Sequence, residues 1–301
     1  METKSDRGQQ HSSLFTSHCS FVNGCDCSIV IKTAHCETDI PYSDETLREA
    51  VSLLEEEAAI EVDGVCRAVR KRSGATGCVI TPLTIGTAPL LLYLAMGAAG
   101  KPVFVSETRG LYQCGLNLLP MEDTERFDLI QGRQTRGERR LYEGCRVKGF
   151  ELRVMRGETV ALRLDICGER SPAVYSSADV LERKDEERFN GDCVAYRING
   201  KEYGNIYGVT LVSKKEGGTR TELRVKRALE KDYDIPQIID EMTITAQLLR
   251  DKYECRRFGI FEITVKRLVL ISDETNVNCA DAVIGPLRYY VAGTVSTEVF
   301  C

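Results

Sequence analysis

The sequence predicts a mainly β protein, an antiparallel sandwich or barrel with one or two flanking α-helices. Two arms in which apolar and polar residues alternate, 150–154 and 160–166, form the clearest short-range hairpin signal in the chain. The dipeptides Asn-Gly at 199–200 and Gly-Gly at 217–218 mark two further tight turns between strand-like segments. Many short strands joined by tight turns are typical of antiparallel sandwiches and barrels.

The central hairpin has a period of two on both arms, so each arm is expected to bury one face. The connection between the arms is short and polar, and Gly157 within it tolerates a positive φ. The outward faces carry charges of both signs, which suits a solvated sheet face or a subunit interface. These charges are Glu151, Arg153, Arg163 and Asp165.

Composition limits the classes of function. The chain has 301 residues and a formal net charge of −5, which argues against a surface that clamps nucleic-acid phosphates. Its thirteen cysteines are scattered and odd in number, and no secretory signal precedes them, so we expect reduced thiols. Cys145, Cys167 and Cys193 lie in or beside predicted strands.

The N-terminal part is predicted as a flexible arm over residues 1–24, followed by one domain over 25–301. Residues 28–32 are expected to form a first strand. Over residues 43–61 apolar side chains recur every three or four positions, which predicts a helix. The acidic run 55–57 suits a calcium or acid–base site, but the solvated face of this helix is the simpler interpretation.

Two glycine-containing stretches follow. The basic residues of 67–72 precede glycines, in the reverse order to a phosphate-binding loop, so 67–77 is interpreted as a charged turn. Residues 87–100 predict a second helix that is apolar nearly all round and buried. The apolar run 85–99 is too short for a membrane span, and no membrane segment is expected.

The remainder of the chain is predicted as strands separated by loops. Two short strands are expected over 103–119, a polar loop over 121–139 and a long surface loop over 169–190. The C-terminal half is predicted as nearly all β, with at most a short helix over 247–254. Its strands are expected over 194–198, 202–207, 209–212, 223–226, 242–248, 260–270 and 287–299.

No catalytic or cofactor-binding motif is present, so no catalytic or cofactor-binding residue is assigned. All three histidines lie within the first 35 residues, which leaves the β body without a histidine base. One local group of zinc-type ligands exists near the N-terminus. Its close pairs are CxC and HC, not the usual knuckles, so chance clustering is the simpler interpretation and no metal is assigned. The group comprises Cys19, Cys25, Cys27, His35 and Cys36.

Four stretches of the chain form a recognisable set: GTAPLLLYLAMGAAG (86–100), ERFDLIQG (125–132), RRLYEGCRVKGFELRVMRGETVALRLDI (139–166) and LRYYVAGTVSTEVF (287–300). In these stretches the chain resembles the tail tube proteins of long-tailed bacteriophages and their prophage relatives. It covers residues 81 to the C-terminus, and the first 80 residues match no tail tube pattern. The family has no active site, so no functional residue is carried over.

The resemblance implies a β-sandwich subunit that closes into hexameric rings, which stack into a hollow tube. Its partners would be further copies of itself and other tail proteins, such as the tape measure, terminator and distal tail proteins. DNA would pass through the lumen without specific binding. The protein would be made in the cytoplasm of a bacterial host and reside in the virion tail, without a membrane.

Two other classes of function compete with this one. A β-sandwich binding module for a carbohydrate or a receptor more often exposes aromatic clusters, and here tryptophan is absent. A hydrolase of unknown substrate is the third class, but the sequence does not single out a carboxylate pair among its 45 acidic residues.

Overall fold

A computed structural model of the chain describes residues 27–53, 60–62, 65–67, 70–101, 103–106, 111–133, 138–170, 173–174, 187–204, 206–227, 238–249, 258–269, 271–272, 276–279, 282–285 and 287–292. Several predictions lie outside these residues. They are the N-terminal arm over 1–24, the acidic run 55–57, the middle of the 169–190 loop and the end of the last strand.

The described elements are twenty-four strands, one α-helix and two 3₁₀ helices, Met121–Asp123 and Gly191–Cys193. In chain order they are β1 (Cys27–Lys32), β2 (Glu37–Ile40), β3 (Asp44–Glu45), β4 (Arg48–Leu53), β5 (Ile60–Val62), β6 (Val65–Arg67), β7 (Arg70–Pro82), α1 (Ala88–Met96), β8 (Gly97–Ala99), β9 (Val103–Ser106), β10 (Leu111–Leu118), β11 (Phe127–Arg133), β12 (Glu138–Met155), β13 (Ala161–Gly168), β14 (Ala173–Val174), β15 (Val194–Ile198), β16 (Lys201–Glu202), β17 (Ile206–Lys214), β18 (Arg220–Arg227), β19 (Ile238–Leu249), β20 (Phe258–Val269), β21 (Ile271–Ser272), β22 (Asn276–Cys279), β23 (Val283–Ile284) and β24 (Leu287–Ala292).

These strands form two large antiparallel sheets, which confirms the mainly β prediction. The larger sheet has thirteen strands, and its main path runs β2-β1-β11-β12-β17-β18-β22-β21. The smaller sheet has nine strands, with the path β16-β15-β19-β20-β24-β10-β8, and β9 also pairs with β10. A separate pair is formed by β5 and β6.

The central hairpin is confirmed as β12 and β13, which lie within the larger sheet. Phe150 pairs with Leu164 and Leu152 with Leu162, and all four side chains are buried. Gly157, in the connection, has a φ of 75°. β17 flanks the hairpin on one side and β7 on the other, so the backbone groups of both arms are satisfied by neighbouring strands.

The inward faces of both sheets contribute to one hydrophobic core, and α1 packs into it. Buried residues of α1 include Leu91, Leu92 and Met96, as expected for an apolar helix. The helix ends at Gly97, whose φ is 110°, and residues 97–99 continue as β8, so the helix is shorter than predicted. With nine residues α1 cannot span a bilayer, and no other described segment is a helix long enough to do so.

The helix predicted over 43–61 is wrong for the described residues, which form β3, β4 and the start of β5. The spacing of four residues between Leu47 and Val51 fits one face of a strand as well as one face of a helix. The deciding factor is a distant partner, because β7 offers a thirteen-residue edge that β3 and β4 pair with. Tertiary pairing of the backbone overrides a local helical pattern here.

The charged turn predicted over 67–77 is also wrong, because residues 70–77 belong to β7. The glycines that suggested a turn are instead needed for close packing of the backbone. A Cβ on Gly77 would lie 2.6 Å from the Thr46 carbonyl oxygen, so the 43–53 segment passes directly over this position. Gly77 therefore allows two backbones to approach closely within a continuous strand.

The polar loop predicted over 121–139 contains β11, which pairs with both β1 and β12. Phe127 and Leu129 point into the core, but Ile130 is buried as well. Burial of both faces removes the alternation by which an amphipathic strand is recognised. Because the segment also has polar residues at both ends, its sequence predicted a loop.

The surface loop predicted over 169–190 is wrong at both of its described ends. β14 pairs with β12, and Phe189 is 1% exposed, with its ring 5.2 Å from that of Phe261. The Phe189 amide donates to the Leu83 carbonyl oxygen at 2.9 Å. Phe189 is therefore part of the core, although residues 187, 188 and 190 are exposed. The helix predicted over 247–254 is wrong for 247–249, which complete β19.

The tight turns in the C-terminal half are confirmed. Asn199 and Gly200 have φ values of 49° and 80° and connect β15 to β16, as a type I′ hairpin requires. Gly217 and Gly218 lie between β17 and β18. The return strand after Gly200 is shorter than predicted, because β16 has two residues and Ile206 already begins β17 in the larger sheet.

Candidate assembly interface

The N-terminal zinc-type residues are only partly within the described chain. Cys27 lies in β1, and Cys36 Sγ lies 3.3 Å from Thr33 Oγ1 in the turn between β1 and β2. His35, the one described histidine, is exposed in the same turn. The described residues contain no group of three or more histidine, cysteine or acidic side chains placed to hold a metal ion.

Lys215 is the one lysine that the described part of the chain buries. Its ammonium donates to the Met96 carbonyl oxygen at 3.2 Å, at the C-terminal end of α1. Burial lowers the pKa of this ammonium to about 8, because the charged form loses its hydration. An amine with such a pKa can act as a base or nucleophile, but this one is 0% exposed. We therefore assign Lys215 a role in the fold.

The described thiols are free, and the predicted strand cysteines differ in environment. Cys145 is buried, and its pKa is raised to about 12 by burial and, to a smaller extent, by the Asp128 charge. Burial also raises the pKa of the Cys167 thiol. Cys193 is exposed, just before β15. Raised pKa values keep Cys145 and Cys167 in the unreactive thiol form.

The outward face of the central hairpin carries the charges that the sequence placed there. Arg163 Nε lies 2.9 Å from Asp165 Oδ1, and Arg153 Nη2 lies 3.0 Å from Glu158 Oε2. These side chains are about half exposed, so each pair is expected to contribute only about 0–1 kcal/mol to folding. Such a face is compatible with solvent or with a polar subunit contact, as the sequence indicated.

The outward face of the smaller sheet contains a shallow groove of about 350 Å³. Thr243 and Thr264 form its half-buried floor, on β19 and β20. Two ion pairs cross it, Lys266 to Glu241 at 3.7 Å and Arg288 to Glu262 at 3.2 Å. Arg197, on β15, is a further cation at the edge of the groove. The groove is polar and nearly charge-compensated.

The edge of the smaller sheet at β9 has a different character. Val103, Phe104 and Val105 are consecutive and each is about half exposed or more, at 61%, 48% and 49%. They account for three of the five large apolar side chains that the described part of the chain exposes. Contiguous exposed apolar residues are typical of interaction sites. We call these three residues the β9 patch.

Comparison with known proteins adds no assignment. No protein-family model matches the chain, and no curated protein sequence matches it. The strand at 103–106 was within the sequence prediction, but its exposure was not. The signal that could have revealed it is the run Val-Phe-Val without an intervening polar residue, next to Lys101 and Pro102.

Proposed function

We propose that this chain is the structural subunit of a phage tail tube, which closes into rings that stack into a hollow conduit for DNA. It would act without enzymatic chemistry, in a virion tail. Its partners would be copies of itself and further tail proteins, such as the tape measure, terminator and distal tail proteins.

The observation that carries this proposal is the β9 patch on the open edge of an otherwise well-packed two-sheet subunit. A ring subunit needs a surface that is stable in water yet ready to pair with a neighbour. The described parts of the stretches that resemble the tail tube family also lie in the folded body. They correspond to α1 with β8, to β11, to the β12–β13 hairpin and to the β24 region.

Electrostatics supports the conduit part of the proposal. The net charge of −5 disfavours adherence to DNA phosphates, and three cations on the outward sheet faces, Arg163, Lys266 and Arg288, are paired with carboxylates. A wall that bound phosphates would slow the passage of DNA. We expect weak duplex binding at physiological salt, and a filter-binding assay with tight affinity and a steep salt dependence would contradict the conduit.

Negative-stain microscopy of the purified full chain over a range of concentrations tests the proposal directly. We expect monomers at low concentration and rings or tubes at high concentration, with a matching increase in sedimentation coefficient. A compact dimer at every concentration, together with absence of the chain from phage particles, would overturn the tail tube function.

A binding module is the second candidate, because the groove of the smaller sheet offers polar groups to a ligand. Arg197, Thr243 and Thr264 suit an oxygen-rich ligand such as a carbohydrate. A glycan-binding screen with wild type and Arg197→Ala tests it. Binding that Arg197→Ala abolishes would favour this function over assembly, and no binding by wild type would exclude a carbohydrate module.

A further inference from the structure

Neither face of β9 is covered by the described part of the subunit. Consecutive side chains of a strand point to opposite faces, yet all three residues of the β9 patch are exposed. β9 therefore extends past the packed part of the sandwich. The Phe104 ring contacts the Tyr112 ring of β10, with their centroids 5.1 Å apart, which holds the strand against its one partner.

One backbone edge of β9 is open as well. β9 pairs with β10, and no other described strand pairs with it. Natural edge strands are usually protected by charges, bulges or a covering segment. The four residues of β9 include no charged side chain. Its pairing with β10 contains one bulge, at Val105, between the register pairs Phe104–Tyr112 and Ser106–Leu111. An apolar strand with a free edge is a template for the addition of another strand.

The size of the patch indicates what kind of partner it fits. A strand of four residues is about 13 Å long, and a stable two-body interface needs about 800 Å² from each partner. Three side chains and one strand edge fall well short of that area. The contact is therefore suited to an assembly in which each subunit meets several neighbours, and identical copies provide such neighbours without a dedicated partner.

The opposite edge of the same sheet is the matching surface. β16 pairs with β15 and with no other described strand, and Lys201 and Glu202 are both exposed. Seven strands run from β16 through β15, β19, β20, β24 and β10 to β9, and every neighbouring pair is antiparallel. The first and last strands of this series therefore run in the same direction.

We propose that β9 of one copy adds to the smaller sheet of a second copy beside β16, as a parallel strand, so that subunits join head to tail. A two-fold pairing of β9 with β9 would close a dimer and stop there, whereas this joint leaves a free edge at each end of the chain of subunits. The inference rests on the proposed function and deepens it, because it names the strands that form the ring contact.

A matched pair of valine variants of the full chain tests the role of β9. Val105→Glu places a carboxylate in the proposed joint, and Val283→Glu makes the same change at a 47% exposed valine on β23. Because both valines are exposed, we expect both variants to keep the wild-type unfolding midpoint. We expect Val105→Glu to raise the concentration required for assembly at least about tenfold, since burying an unpaired charge is costly. Val283→Glu is expected to leave that concentration unchanged.

Hydrogen exchange on assembled and free wild-type protein tests the acceptor strand. We expect amides of both 103–106 and 201–202 to become protected on assembly. Assembly in which either segment stays unprotected would overturn the proposed joint. Assembly of Val105→Glu at the wild-type concentration would overturn it as well. In those cases the tail tube function would stand, because wild type would still form rings. Failure of wild type to form rings or tubes would instead overturn the proposed function itself, and a dimer protected at β9 alone would overturn both.

Discussion

β13 and β9 are both apolar strands, but they have opposite environments. β13 pairs on both sides, with β12 and β7, and buries Leu162, Leu164 and Ile166 to 2% exposure or less. β9 pairs on one side and exposes the whole β9 patch. Apolar composition is thus common to a core strand and an open edge. What separates them is alternation, since Arg163 and Asp165 interrupt the apolar residues of β13, whereas no polar residue interrupts β9 until Ser106.

The largest expected contrast is in folding stability. Leu164→Ala on β13 removes a fully buried side chain and is expected to lower the free energy of unfolding by about 2–5 kcal/mol. Phe104→Ala on β9 removes an exposed ring that contacts Tyr112, and we expect a loss below about 1 kcal/mol. Urea titration of the monomer at low concentration measures both.

Equal losses at the two positions would contradict this contrast, because they would mean that β9 is packed in solution. The slope of the urea dependence should remain the same in both variants. It reports the surface exposed on unfolding, which neither substitution changes appreciably.

The same contrast explains how far the sequence could be interpreted. The hairpin arms and the Asn199-Gly200 turn carry their signal locally, in alternation and in turn chemistry, and both were predicted. β4, β7 and β11 were missed because distant partners determine them. β11 is buried on both faces, and Gly77 in β7 is required by the passage of Thr46 over it.

The strands of the candidate interface were predicted from the sequence, but their exposure was not, for a related reason. The sequence indicated strands over 103–119, and β9 and β10 lie there. A run such as Val-Phe-Val is equally compatible with a strand buried on both faces and with a strand exposed on both. The position of β9 at the end of the smaller sheet decides between these, and sheet order is a property of the whole fold.

Lys215 extends the comparison to a buried charge, because its ammonium is a destabilising group inside the core. Its pKa is about 8 in the folded protein and about 10.5 when unfolded. The unfolded chain therefore holds more protons between these values, so stability rises with pH across this window. Below pH 8 the full cost of the buried charge is present, about 3 kcal/mol.

Lys215→Met is expected to raise the free energy of unfolding at pH 7 by about 2 kcal/mol, which allows for loss of the hydrogen bond to Met96. It should also remove the increase in stability between pH 8 and 10.5. Lys214→Met, at the exposed neighbouring position, is the matched control and should change neither quantity. Urea titrations at several pH values measure both. A wild-type pH profile that persists in Lys215→Met would show that another group causes it.

The smallest expected effect lies on the outward face of β13, where Arg163 and Asp165 form an ion pair at 2.9 Å with side chains 46% and 35% exposed. A double-mutant cycle with Arg163→Ala and Asp165→Ala is expected to give a coupling of about 0.5 kcal/mol or less for unfolding, because solvent screens the pair. The coupling should diminish further at 1 M salt. If this face contributes to a subunit contact, the same variants will raise the concentration needed for assembly while leaving unfolding of the monomer nearly unchanged. A coupling well above 1 kcal/mol in the monomer would instead mean that the face is shielded from water, and β13 would then differ from β9 on both of its faces.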